Sequence, residues 1–242
     1  MIYKKSTIAI LRDLIAAMDF TMQITAVLET TITTDDGVIT VQRLTVCNIM
    51  HAEPGRDIVV HEGTYQIREI DADNKYIYVF GSIAIAPQYF TLYSPVFYYG
   101  TPIRTGIELN QEQTAANKTP MIWFAQLSTD NYDDVDSAFD RFINGDLFFL
   151  TQNNPEQWLT DKSQRLAVDP MRRLMEHFLA DVQNAGGIFY TDEFQYSAKE
   201  YQNFGVYISE KGVLQNKWAD KLAGIKLNPC LTVINNYECE VC

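Results

Sequence analysis

The stretch that decides the fold is residues 21–47, TMQITAVLETTITTDDGVITVQRLTVC. Its apolar and β-branched residues alternate with polar ones through Thr34, Asp35-Asp36-Gly37 supplies a turn signal, and Val38 to Cys47 resumes the alternation. A period of two with a turn at its centre predicts an antiparallel hairpin. Working outward, the period differs on the N-terminal side. Ser6 is placed to cap a helix running to Phe20, with Ile8, Leu11, Leu14, Ile15 and Met18 on one face at three- and four-residue spacing. On the C-terminal side, Thr64 to Ile70, a turn over Asp71 to Lys75 and Tyr76 to Phe80 form a second hairpin, set off by Pro54-Gly55 and Gly81. The reading is an N-terminal helix over 1–20 followed by an antiparallel β subdomain over 21–107.

The remainder, 108–242, reads as a mixed α+β body. A polar connector from Asn110 to Lys118 precedes a buried strand at Met121 to Leu127, an acidic loop from Asp130 leading into a short helix near Phe142, and a further buried strand at Asp146 to Thr151. The long amphipathic helix of the chain is Asp169 to Ala185. Asp169 stands at its cap, Pro170 at its first position and Gly186-Gly187 just past its end. Its stripe of Met171, Leu174, Met175, Phe178, Leu179 and Val182 calls for a packing partner and for no cofactor. Short strands follow at Phe204 to Ser209, Leu222 to Leu227 and Leu231 to Ile234, with Gly224 weakening the middle one. Without regular alternation of strand and helix, the class is α+β rather than a doubly wound sheet. The N-terminal helix, amphipathic while the adjacent strands satisfy one another, is expected to pack on the C-terminal body.

A chain of 242 residues can bury a core without staples. With 31 acidic against 19 basic side chains, the formal charge of −12 disfavours tight, extended binding to nucleic acid, which depends on neutralising phosphates with Lys and Arg. No run reaches the roughly 18 apolar residues of a membrane span, so no membrane partner is expected. Cys47, Cys230, Cys239 and Cys242 are too few for a disulfide framework and read as reduced thiols.

Several groups have side chains able to carry chemistry. Cys239 and Cys242 have the spacing for two zinc ligands, but the second such pair is absent. Asp130, Asp133, Asp134, Asp136 and Asp140 could hold a hard cation in a metal-dependent hydrolase. Their spacing nevertheless fails the calcium-loop register: a loop starting at Asp130 places Tyr132 third, and one starting at Asp134 places Ala138 fifth. His51, His61 and His177 follow no metal or triad spacing, and no nucleophile elbow, phosphate loop or dinucleotide fingerprint occurs. No catalytic residue, metal or cofactor is therefore assigned. The aromatic run Tyr89, Phe90, Tyr93, Phe97, Tyr98 and Tyr99, around Pro95, supplies large contact area at low entropic cost. It is assigned to a subunit interface, with glycan or host-surface binding as the competing role. Composition favours a structural or assembly role over an enzymatic one.

Five segments of the C-terminal half carry a resemblance: Phe142-Ile-Asn-Gly-Asp-Leu-Phe-Phe-Leu-Thr151, Trp158-Leu-Thr160, Asp169-Pro-Met-Arg-Arg-Leu174, Asn203-Phe-Gly-Val-Tyr207 and Trp218-Ala-Asp-Lys-Leu-Ala-Gly-Ile225. They resemble tailed-bacteriophage neck and tail proteins of the head-tail connector ring, most like those of crAss-like phages of Bacteroides-type hosts. The resemblance implies a virion structural protein, assembled in the host cytoplasm. It would be a subunit of a homo-oligomeric ring linking portal to tail around the DNA channel, touching the portal or adjacent ring proteins. It transfers no catalytic residue and no cofactor.

Overall fold

The computed structural model of the chain describes residues 6–34, 37–60, 63–83, 89–111, 118–125, 129–132, 141–153, 161, 164–185, 196–208, 214–216 and 221–233. The chain is α+β and divides into two compact units, Asp19–Ser94 and Met1–Met18 together with Pro95–Cys242. The second junction thus falls at Ser94/Pro95 rather than after Ile107. The cause is strand pairing: Val96–Gly100 runs parallel to Met121–Ala125 and so belongs to the sheet of the larger unit.

The smaller unit is a closed barrel of β1 (Thr21–Thr34), β2 (Gly37–Val46), β3 (Asp57–Val60), β4 (Gly63–Asp71), β5 (Tyr76–Val79) and β6 (Tyr89–Thr91), in the order β1-β2-β5-β4-β3-β6. Alternation sends Ile24, Leu44, Val46, Ile58, Val60, Ile67, Ile77, Val79 and Phe90 inward, and all are buried. Closure leaves the barrel without an edge. It depends on β3 and β6, four and three residues long, which are too short to stand out as periodic in the sequence. The β4–β5 turn is held by Asp71, whose Oδ1 accepts from the Asn74 amide at 3.1 Å, while Lys75 takes φ 57°. At one end Phe20 meets the His51 ring edge-on at 4.8 Å, and His51 Nε2 lies 2.9 Å from the Tyr93 carbonyl.

The larger unit is built on a sheet ordered β7-β8-β11-β15-β10-β9, with β12 also on β15. The strands are β7 (Val96–Gly100), β8 (Met121–Ala125), β9 (Thr129–Tyr132), β10 (Arg141–Asn144), β11 (Leu147–Gln152), β12 (Tyr196–Phe204) and β15 (Leu222–Val233), while β13 (Val206–Ile208) and β14 (Leu214–Asn216) pair separately. Asn144 faces Cys230 and Leu147 faces Leu227, so β10 and β11 share one register along β15 and are a single line of strand interrupted at Gly145-Asp146. The interruption is pinned by Asp146, whose carboxylate lies 2.7 Å from Lys226 Nζ and accepts from Asn228 Nδ2 at 3.1 Å. The segment near Phe142, expected to be helical, is therefore strand, because β15 supplies a pairing edge that local sequence does not reveal. Likewise Leu222–Val233 is one strand rather than two.

Helices cover both faces. On one face α1 (Thr7–Ala17) packs on α3 (Asp169–Asn184) and β7, and α3 packs on β11 and β15. Ser6 caps α1 by accepting from the Ala9 amide at 3.2 Å, and the helix stops at Ala17, leaving Phe20 to the barrel. The α3 stripe of Met171, Leu174, Met175, Phe178, Leu179 and Val182 is buried, each large side chain contributing about 1.5–3 kcal/mol. Phe178 meets Phe149 at 5.6 Å. A five-residue π turn, Gln164–Val168, precedes α3 and puts Val168 rather than Asp169 at the cap. On the opposite face Tyr98, Met121, Trp123, Phe148, Leu150 and Leu222 form a second core with Leu109 of α2 (Pro102–Gln111).

Gly224 sits where this sheet is tightest. It faces Leu150 on one side and Tyr201 on the other, at φ 153°. A Cβ there would overlap the Phe149 carbonyl oxygen and come within 3.0 Å of Leu150 Cα. The glycine that weakens the strand by propensity is the residue that admits its neighbours.

Candidate functional site

The aromatic run is divided by the fold. Tyr89 and Phe90 lie on β6 and Tyr93 just beyond it, in the barrel unit; Phe97, Tyr98 and Tyr99 lie on β7, in the larger unit. Alternation splits each group again. Phe90 fills the barrel, whereas Tyr89 and Tyr93 are exposed. Tyr98 is buried in the cluster around Trp123, whose Nε1 donates to the Gly100 carbonyl at 3.0 Å. Phe97 and Tyr99 are half-buried on the other face, Phe97 beneath the Arg12 guanidinium at 6.0 Å and Tyr99 stacked on Phe124 at 6.0 Å. Phe90 and Tyr98 are thus core residues, and Tyr89 and Tyr93 are the members free to meet a partner.

Strand register shows what accompanies Tyr89. Thr21 faces Thr91, Thr91 faces Val59, and Val59 faces Thr64, with Gln23 opposite Tyr89 in the next row. These residues lie on the outer side of the barrel and are themselves uncharged, with Asp57 next to Val59 on the same side of β3. Tyr89 is 54% exposed there, and the Thr21 and Thr91 hydroxyls meet at 3.2 Å.

A second part of the barrel surface, on β2, β5 and β4, is built of arginine and aromatic rings. Arg43 lies 4.4 Å over Tyr76, Tyr76 meets Tyr78 edge-on at 6.4 Å, and Arg68 lies 5.6 Å over Phe80. Burial pushes the Tyr78 hydroxyl above the ordinary phenol value of 10.0, and the Asp71 carboxylate adds to the shift. Cation–π contacts of this kind knit a sheet surface and need no ligand.

The most exposed apolar feature lies on α2. Thr101 starts this helix, its Oγ1 accepting from the Arg104 amide at 3.4 Å, and Pro102 occupies the first turn. Thr105 and Leu109 point inward. Ile103 and Ile107, one turn apart, point outward at 78% and 53% exposure, flanked by the Arg104–Glu108 pair at 3.1 Å. Sequence reading placed no helix here, although Thr101 followed by Pro102 is a start signal.

Of the acidic cluster, Asp130 lies on β9, opposite Ile143 of β10; Asp133, Asp134, Asp136 and Asp140 lie outside the described residues, as do Cys239, Cys242 and His61. Among the described residues no group of three or more His, Cys, Asp or Glu is placed to hold a metal ion. His51 and His177 are in different units, and His177 lies 3.5 Å from Asp181 one turn along α3. Cys47 is a free, exposed thiol. No described helix is long and apolar enough to cross a membrane. No family model, curated protein or solved structure matches the chain.

Proposed function

We propose that this chain is an assembly subunit: a virion structural protein forming a homo-oligomeric ring in a phage neck or tail, between portal and tail and around the DNA channel. The observation that carries the assembly reading is the isoleucine pair of α2. Two large apolar side chains one turn apart, both mostly in water, support a reading in which a neighbouring subunit covers them. The barrel side that carries Tyr89, Thr91 and Val59 is a second candidate face, on the other unit.

The phage reading adds the resemblance. Four of its five segments fall on the β10–β11 line, the start of α3, the β12–β13 junction and the start of β15, positions that carry packing and chain reversal, while Trp158–Thr160 and the Trp218–Asp220 part of the last lie outside the described residues. Gly224 lies within the last of these segments. The charge of −12 suits a channel through which a duplex slides without being gripped. The test is incorporation. Ile103→Ser/Ile107→Ser should fold as the parent does and fail to enter rings or particles, and normal incorporation would remove the assignment of α2 to the interface.

A further inference from the structure

β1 and β2 run on past the barrel as a two-stranded ribbon. β6 pairs with β1 only over Thr21–Gln23, and β5 pairs with β2 only over Gln42–Thr45. Beyond them Thr30–Thr34 pair with Gly37–Val41 and, among the described residues, with nothing else. A lone two-stranded ribbon is marginal in water. This one is nevertheless rich in strand formers, with Thr30, Thr31, Ile32, Thr33, Thr34, Val38, Ile39, Thr40 and Val41. Val38 stands 69% exposed on it, and Leu28, just before it on β1, is 49% exposed. It lacks the lysine or proline with which edge strands are commonly guarded. Between Val27 and Gln42 the only charged residues are Glu29, Asp35 and Asp36.

Among the described residues β12 pairs with β15 along one side only, which leaves a sheet edge of suitable length, and its side chains are largely exposed. Of its two charged residues, Glu200 is tied to Arg172 of α3. Lys199 has its Nζ 5.2 Å over the Tyr201 ring and, among the described residues, no carboxylate partner. Glu29, on β1 at the base of the ribbon, has no cation partner among the described residues either.

The geometry points to strand addition between copies: the ribbon of one subunit lies along the β12 edge of the next, bringing Glu29 at its base to Lys199. Backbone hydrogen bonds along the shared edge give affinity, and the charges choose the edge. Each copy presents one ribbon and one edge, so the contact is head to tail and suits a ring. The inference rests on the assembly reading above and names one of its contacts.

Charge reversal on the full-length protein tests it, because both positions are exposed and neither variant disturbs a core. Self-association is followed by sedimentation as concentration rises. Glu29→Lys and Lys199→Glu should each weaken association about three- to tenfold, and the double variant should recover most of the loss. Hydrogen exchange at Thr30–Thr34 should slow in the associated form. Association insensitive to the single changes, or not recovered by the double one, overturns the ribbon contact and leaves the assembly reading standing. A parent protein that stays monomeric at its highest soluble concentration overturns a second copy as the occupant, while the assembly reading is decided separately by the composition of particles.

Discussion

Replacing Ile103 and Ile107 together by serine separates an interface from a core. Each is largely in water in the single chain, at 78% and 53% exposure, and Thr105 and Leu109 hold α2 to its unit. The folded monomer should therefore change by no more than about 0.5 kcal/mol, the range of surface substitutions away from special features. On the proposed reading the same side chains are covered in the assembled ring. A fully buried isoleucine contributes about 1.5–3 kcal/mol, so covering the exposed parts of both contributes about 2–4 kcal/mol. At 1.36 kcal/mol per decade, their loss weakens association by roughly 30- to 900-fold. Urea unfolding of the monomer and sedimentation of the assembly give the two numbers. An unchanged midpoint with association unchanged would refute the interface assignment, and a large drop in midpoint would show that the residues stabilise the monomer instead.

Gly224→Ala should cost about 3 kcal/mol or more, because the new Cβ meets the Phe149 carbonyl on a central strand at φ 153°, and a urea midpoint equal to the parent's would contradict the packing described. Tyr98→Ala should destabilise by about 3 kcal/mol through loss of core packing against Trp123 and Phe148, whereas Tyr89→Ala should leave unfolding within about 0.5 kcal/mol and act on assembly alone; equal effects on unfolding would contradict the division of the aromatic run. Tyr78 ionises later when folded than when unfolded, so its contribution is present below pH 10.0 and declines as pH rises from there towards the folded value. Tyr78→Phe should flatten that alkaline decline, measured as unfolding free energy against pH, and an unaltered slope would remove the assignment.

Local pattern carried much of the fold. The Ser6 cap, the α3 stripe and the hairpin around Asp35-Asp36-Gly37 each follow from residues within one turn or one strand pair, where spacing and capping chemistry suffice. Barrel closure was not legible, because β3 and β6 derive their structure from pairing across the chain rather than from their own period. The same holds for Arg141–Asn144, an apparent loop or helix end that becomes strand by lying in register with Cys230–Val233. Reading Gly224 as a weak point misjudged it, since a propensity does not see the carbonyl of a neighbouring strand. At the candidate surface, the sequence showed a block of aromatic rings but not its partition: strand alternation buries Phe90 and Tyr98 and exposes Tyr89 and Tyr93. Ile103 and Ile107 were passed over because an apolar pair inside a polar stretch reveals its exposure only once the helix has a covered side.

The central proposal is that the chain is a building block of a phage neck or tail, and the most direct measurement is a quantitative mass-spectrometric inventory of purified particles released by the organism that carries its gene. The account predicts the intact chain in the particles, at a fixed ratio to the portal protein and retained after a high-salt wash. Its absence from particles that contain portal and tail proteins would contradict the claim.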